Sequence, residues 1–230
     1  MSMFSKRSFE LELMDFPVEN KADIFKNFDE LVFINAYLGG SVHSIKKIGE
    51  LIRNIESPTI ADIGFGAGDF LSSAHKKWPK AHLIGVDSMP ESVEYAQNRY
   101  QDMSKAASLI CSDYREWIRT SDKVDIIHAS LFCHHLDTTQ LIEFLELASS
   151  HVRVAVVIND LHRNAIAYYS IKLLTALFSK SVYTRNDAPL SVLRGFHKSD
   201  WEQAMQRANI SSYQMKWKWA FRHILTTPPR

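Results

Sequence analysis

Ile60-Ala61-Asp62-Ile63-Gly64-Phe65-Gly66-Ala67-Gly68-Asp69 is the stretch that decides how this chain folds. It spends three of the eight glycines within five positions, after a short β-like run and before a helical one. Each glycine costs backbone entropy, so three together mark a chain that turns tightly and lets a ligand approach bare backbone. Asp62 stands just ahead of the turn, at a strand's end, where a carboxylate can meet a positively charged group. A dinucleotide-binding turn reads G-x-G-x-x-G, but here the third glycine comes one place early and Asp69 stands where it should fall. An acid at that helix N-terminus repels a pyrophosphate. It tolerates a ligand that carries an amine and a ribose and no phosphates.

Outward from the turn, short β-rich runs alternate with helical segments, the pattern of a parallel sheet covered on both faces by helices. Pro58 to Ile63, Ala81 to Asp87, Ser108 to Asp113, Val124 to Ser130 and Val152 to Ile158 read as strands. Asp69 to Trp78, Pro90 to Tyr100, Thr138 to Ser149, His162 to Phe178 and Lys198 to Ala208 read as helices. Ser211 to Trp217 and Ala220 to Thr226 read as a closing antiparallel hairpin. The expected fold is α/β and Rossmann-like, a mostly parallel sheet with helices on both faces and an antiparallel C-terminal hairpin.

With 230 residues, 46% of them hydrophobic, the chain can bury a full core, roughly 70% of its unfolded surface. Cys111 and Cys133 are too few for a disulfide framework or a zinc site, which points to a reducing cytoplasm. The N-terminal residues turn acidic at Glu10, Glu12 and Asp15 where a secretory signal is apolar, and no run reaches the ~18 apolar residues of a membrane span. A formal net charge of +1 gives no general electrostatic reason to expect a nucleic-acid partner. Oligomeric state is left as monomer or homodimer, with Trp217, Trp219 and Phe221 packing in a core or across a dimer.

In an open α/β sheet the ligand lies beyond the carboxyl ends of the strands, so Asp62, Asp87 and Asp113, ending three successive strands, converge there. Asp87 follows Gly64 at the ~20-residue distance at which such folds place a carboxylate on ribose hydroxyls. Any one of the three acids alone reads as a helix cap. Together, in register with the glycine turn, they read as a ligand site.

Asp62-Ile63-Gly64-Phe65-Gly66-Ala67-Gly68, Gly85-Val86-Asp87, Cys111-Ser112-Asp113 and Val124-Asp125-Ile126-Ile127-His128-Ala129-Ser130 resemble the four successive motifs of class I S-adenosylmethionine-dependent methyltransferases. The resemblance covers about residues 58–160, and the closing hairpin suits that family's seven-stranded sheet. It implies an N-terminal helical cap over 1–57 and a cofactor-binding catalytic domain over 58–230, with a helical insertion at about 161–195. It implies S-adenosyl-L-methionine as cofactor, with Asp62, Gly64 and Gly66 at the methionyl part and Asp87 on the ribose. Met89 is expected on the adenine face, and Asp113 with Tyr114 on the adenine edge. Phe65, His128 and Ser130 fall in the same motifs. Phe65 stands where the family often has a smaller residue, either narrowing the pocket or pointing away from it.

Methyl transfer needs a nucleophile aligned with the sulfonium carbon and, where that nucleophile carries a proton, a group to take it. His134 and His135, directly after the fourth strand, are the candidates, with His135 favoured; a capping or packing role is the alternative for each. Asp160 and His162, in the Asn159-Asp160-Leu161-His162-Arg163 run, are read as acceptor-binding or base-orienting groups, or else as a cap and a surface histidine. Metal-dependent catechol methyltransferases carry an Asp-Asn pair near here, but His128 and Ser130 are poor partners for magnesium, so no metal is expected. Tyr37, on the apolar run 31–40, and Tyr168, on the 162–178 helix, are placed on the roof over the acceptor. Arg194 either binds an acidic or phenolic acceptor or pairs with Asp187. The resemblance is to small-molecule methyltransferases of secondary metabolism and implies methylation of a hydroxyl on an aromatic or polyketide-like acceptor. C-methylation of a quinol-like ring, a cofactor-binding protein without turnover, and an RNA methyltransferase are the rivals; the last lacks a visible basic groove.

Overall fold

A computed structural model describes residues 3–230. Along the chain come α1 (Lys21–Tyr37), α2 (Gly40–Leu51), β1 (Thr59–Ile63), α3 (Asp69–Lys77), β2 (His82–Asp87), α4 (Pro90–Arg99), α5 (Gln101–Ala106) and β3 (Ser108–Cys111). Then follow α6 (Tyr114–Thr120), β4 (Val124–Ser130), α7 (Thr138–His151), β5 (Val152–Leu161), α8 (Ala165–Phe178), α9 (Val182–Arg194), α10 (Lys198–Arg207), β6 (Gln214–Lys218) and β7 (Arg222–Thr227). The strands form one seven-stranded sheet in the order β3-β2-β1-β4-β5-β7-β6. Pairings from β3 to β5 are parallel, and β7 runs antiparallel to both β5 and β6. The expected architecture is the observed one.

The central strands are apolar on both faces because helices cover both faces. On one side Ile48, Ile52, Leu71, Ala74, Ala96 and Met103, from α2 to α5, pack against Ile60, Leu83, Ile126 and Val157. On the other, Trp117, Leu141, Phe144, Leu145, Trp201 and Met205 of α6, α7 and α10 pack against Ile63, Ile127, Val156 and Ile158. Strand order reverses between β1 and β4, which opens a crevice at their carboxyl ends, where Asp62 stands level with Gly85 and His128.

Two helical layers close over that crevice. Phe28 of α1 packs with Ala67 of the glycine turn and Tyr95 of α4, so α1 lies across the turn. The Glu30 carboxylate accepts hydrogen bonds from Ser179 Oγ, Lys180 N and Ser181 N, tying α1 to the link between α8 and α9. The apolar run at 31–40 is the end of α1 and the sharp turn into α2, with Gly39 at φ 72°. Helix α9 has Pro189 inside it and shows no clean apolar period, which hides it from periodicity. Among the described residues no helix is long and apolar enough to cross a membrane.

Candidate active site

The crevice holds a cavity of about 970 Å³, wide enough for a nucleoside-sized ligand and a second small molecule. Its floor is the glycine turn. Gly64 and Gly66 have φ of 66° and 52°, a backbone region that side chains resist. A Cβ on Gly64 would come 2.5 Å from Phe132 Cδ2, whereas one on Gly66 would meet nothing within 4 Å. Gly64 is thus required by packing, and Gly66 leaves open space where a ligand can rest on backbone. Asp87, at the end of β2, accepts hydrogen bonds from Gly66 N at 2.8 Å and Met89 N at 2.9 Å. Burial raises its pKa and those two amides pull it back. Each oxygen keeps a lone pair for a ligand hydroxyl.

Met89, Asp113, Tyr114 and Ser130 line the same cavity. Asp113 caps α6 through Arg115 N at 2.7 Å and meets Arg115 Nη1 at 3.0 Å. Tyr114 opens that helix, among the amides that have no carbonyl partner within it. At the opposite end Asp62 lies in the wall with Oδ1 2.7 Å from His128 Nδ1, and His128 Nε2 is 2.8 Å from Ser44 Oγ.

Two residues complete that end which the sequence did not mark as ligands. Asp69 lines the cavity and titrates at about 6, raised by burial and then by the charge of Asp62. Arg222 of β7 donates to Leu38 O and Asn35 Oδ1, while its buried Nη1 has no partner. It too lines the cavity, and burial pushes its pKa down to about 10. A half-buried acid and an orphaned guanidinium donor lining one end of the cavity suit a zwitterion.

The other wall is assembled from distant segments. After β4 the chain turns out at Leu131, with φ 52°, into a 3-10 turn at Cys133–His135. An N-terminal stretch that ends in a 3-10 turn at Leu13–Asp15 lies against it, strapped to α9 by Ser8 N to Leu193 O at 3.0 Å and by Leu13 N and Met14 N to the Asp187 carboxylate. This delivers Glu12 and Asp15 to the histidines. His134 Nδ1 is 2.8 Å from Asp160 Oδ1, and His135 Nδ1 is 2.9 Å from Asp15 Oδ1. Both Nε2 atoms face Glu12, at 3.6 and 3.8 Å. Burial raises Glu12 to about 7 against the pull of His135 and Arg194. Burial acts upward on Asp160 as well, but the charge of His134 and its hydrogen bond hold that acid below the usual carboxylate range.

Several expected positions are corrected. His128 is fully buried, stacked on Phe70 at 3.8 Å between ring centroids, and does not line the cavity; it orients Asp62 from behind. The Phe65 ring does not narrow the pocket: it packs in the core against Leu71 and Leu83, where it and its neighbours leave no room for a side chain on Gly85, and Phe65 still contributes to the cavity lining. Tyr37 is 70% exposed and off the cavity, which α1 lines through Asn27, Phe28, Leu31, Ile34 and Asn35, with Leu38 just past its end. Tyr168 stacks edge-on with Phe4 and Tyr169, and the lining face of α8 is instead Ile166, Ala167, Ser170, Ile171 and Leu174.

His162 lies outside the cavity among His197, His223 and Trp217. Arg194 is buried and spent on Asp15 Oδ2 at 2.5 Å and on the carbonyls of Glu10, His134 and His135, so it braces the wall and touches no acceptor. It does not pair with Asp187. Asp160 is fully buried behind His134 and Asn159 donates to Gly40 O, so neither of that pair faces the cavity.

Residues 60–155 match the methyltransferase domain family. Trans-aconitate 2-methyltransferase of Escherichia coli O7:K1 (strain IAI39 / ExPEC) is 31% identical over 111 residues, 47% of this chain and 41% of that protein. The Rhodococcus jostii (strain RHA1) enzyme of the same name is 31% identical over 91 residues, 38% of this chain and 34% of its own. The matched stretch thus spans less than half the length of these curated relatives. Among solved structures, the plantazolicin methyltransferase BpumL in complex with SAH superposes with a TM-score of 0.67 at 20% identity, covering 92% of this chain and 91% of that one. An O-methyltransferase family 2 protein from Planctomyces limnophilus DSM 3776, complexed with apigenin, gives 0.64 at 14% identity over 93% and 62%. This chain has the α/β Rossmann-like fold of these methyltransferases, and its residues 60–155 carry a methyltransferase domain.

Proposed function

We propose that the protein transfers the methyl group of S-adenosyl-L-methionine to a hydroxyl of a small aromatic or polyketide-like acceptor. One observation carries this reading: the open Gly66 cradle with its acids and the His134-His135-Glu12 cluster are opposite parts of one cavity. Asp87 holds the ribose hydroxyls, Met89 lies on the adenine face, and Asp113 with the Tyr114 amide meets the adenine edge. Asp69 takes the ammonium of the methionyl group, and the free Nη1 of Arg222 takes its carboxylate. Bound in this way, the cofactor supplies a methyl group on a sulfonium for in-line displacement.

The residues opposite prepare the nucleophile. A hydroxyl placed against His134 gives its proton toward Nε2, because Nδ1 is held by Asp160. The oxygen then bonds to the methyl carbon as the carbon–sulfur pair leaves with sulfur. Phe16, Leu31, Ile171 and Leu174 supply apolar walls for a ring and exclude water. The acceptor is not a free polyacid. Glu12 and Asp15 repel carboxylates, and Arg194 beside them is already engaged. C-methylation of a quinol-like ring uses the same deprotonation and differs in where the methyl lands.

Calorimetric titration with S-adenosylmethionine and S-adenosylhomocysteine, with NAD as control, tests the cofactor half. Micromolar binding of the first two alone is expected. Incubation with a phenolic panel and a labelled methyl donor, read by mass and methyl position, tests the acceptor half; label on ring carbon alone would replace hydroxyl by carbon transfer.

A further inference from the structure

Glu12, His134 and His135 each offer a ligand atom, and the three atoms lie within 4.8 Å of one another at the cavity wall. Both imidazoles are turned the same way. Their Nδ1 atoms sit on Asp160 and Asp15, which accept from Nδ1–H, so in the neutral ring the lone pair is on Nε2. Those lone pairs face the Glu12 carboxylate at 3.6 and 3.8 Å, beyond hydrogen-bond range. Ligand bonds of ~2.1 Å at near-tetrahedral angles place donor atoms about 3.4 Å apart around a common centre. The two nitrogen–oxygen spacings, each to a different Glu12 oxygen, are close to that value, and the full set, within 4.8 Å, closes on a common centre by side-chain adjustment.

We propose that Glu12, His134 and His135 bind one divalent transition cation of the zinc class, with a coordination position open to the cavity. Two neutral imidazoles and one carboxylate suit such an ion and not magnesium or calcium, which take oxygen ligands. Each histidine already has the carboxylate partner that metal-bound imidazoles use to fix orientation and raise basicity. Arg194, hydrogen-bonded to the His134 and His135 carbonyls and to Asp15, holds the backbone of the site. Its guanidinium also lies 3.8 Å from Glu12, and Ser191 Oγ donates to Glu12 Oε1 at 2.9 Å, so Glu12 is fixed before any ion arrives.

The proposal deepens the methyltransferase reading and rests on it for its purpose. A hydroxyl of the acceptor that takes the open position loses its proton to solvent near neutral pH, and its oxygen remains the nucleophile. The cation then does what an unliganded His134 would do as a base. This differs from the magnesium arrangement considered from sequence, which involved Asn159 and Asp160 at the cavity; both are turned to other partners.

The test uses the full chain, stripped with a chelator and titrated with Co²⁺ alone and then Zn²⁺ alone, reading visible absorption and heat. One ion per chain is expected, with imidazole-type Co²⁺ bands. Glu12→Gln and His135→Ala should each weaken it by more than about tenfold, and Asp15→Asn by about tenfold, the size of an outer-shell effect. S-adenosylmethionine affinity, measured on the same samples, should stay unchanged and shows that each variant is folded. No stoichiometric ion in the wild type, equal affinity in the variants, or full methylation by the stripped chain overturns the cation. Absence of S-adenosylmethionine binding sinks the methyltransferase reading instead, and the Co²⁺ titration still judges the site.

Discussion

The two walls of the cavity are built by different means. Arg222 aside, the cofactor wall runs from Asp62 to Tyr114, and its key bonds span short separations, as from Gly66 N to Asp87 Oδ2, 21 positions apart. It uses backbone amides, glycines and one acid per strand end. The acceptor wall joins Asp15 to His135 across 120 positions and Asp15 to Arg194 across 179. It uses charged side chains braced against one another. A wall of backbone should lose affinity by steps when altered; a wall of coupled charges should lose chemistry.

The sharpest way to break that contrast is His134→Ala. Turnover should fall by ~10²–10⁴-fold, the usual worth of proton handling at the nucleophile, with S-adenosylmethionine affinity within about twofold. Steady-state rates beside calorimetry decide it. If affinity falls together with rate, the walls are not separable.

Asp87→Ala attacks the other side. Loss of a carboxylate hydrogen bond should weaken S-adenosylmethionine by ~1–3 kcal/mol and leave the maximal rate at saturation nearly intact. Unchanged affinity would remove Asp87 from the ribose.

A smaller and graded effect comes from pH. Asp69 titrates at about 6, with Asp62, Arg222 and His128 the charged or titratable groups acting on it. Its folded pKa lies above the ordinary aspartate value of 3.8, so the ligand-free fold is most stable below that value and loses stability as pH rises through 6. Each unit of that displacement corresponds to about 1.4 kcal/mol. An ammonium ligand needs the ionised acid, so S-adenosylhomocysteine affinity should rise from pH 5 to 7, by up to about tenfold per unit below the pKa. Asp69→Asn should flatten both trends. A wild-type affinity flat across that range would take the ammonium away from Asp69.

These differences also explain what the sequence could show. Strand ends, the glycine turn and the acids at Asp62, Asp87 and Asp113 follow from local spacing, and β1 to β5 lie where the alternation places them. His134 and His135 are legible as residues near the chemistry. Their partners are not, because nothing in the run Glu10 to Asp15 signals a return to the end of β4. Asp69 was visible only as a misfit to a dinucleotide turn, and its own carboxylate was the signal. Arg222 carries no pattern at all: it stands in a strand whose six residues are all buried, and only the antiparallel pairing with Leu161 brings it to the cavity.

The smallest expected effect concerns the roof. Composition identified both roof helices, but a helix turns 100° per residue, so composition without phase cannot say which side chains look inward. Tyr37 is one step from Leu38, yet it points to solvent with its ring against Phe33 at 4.7 Å, while Leu38 lines the cavity. Tyr37→Ala should therefore change acceptor KM by less than about twofold, within the range of an ordinary surface substitution. Leu38→Ala, one residue on, should raise it by more. Equal effects from the two, measured with one phenolic acceptor, would mean that α1 rotates or shifts when the acceptor binds, and the acceptor wall would then include a moving part that the cofactor wall lacks.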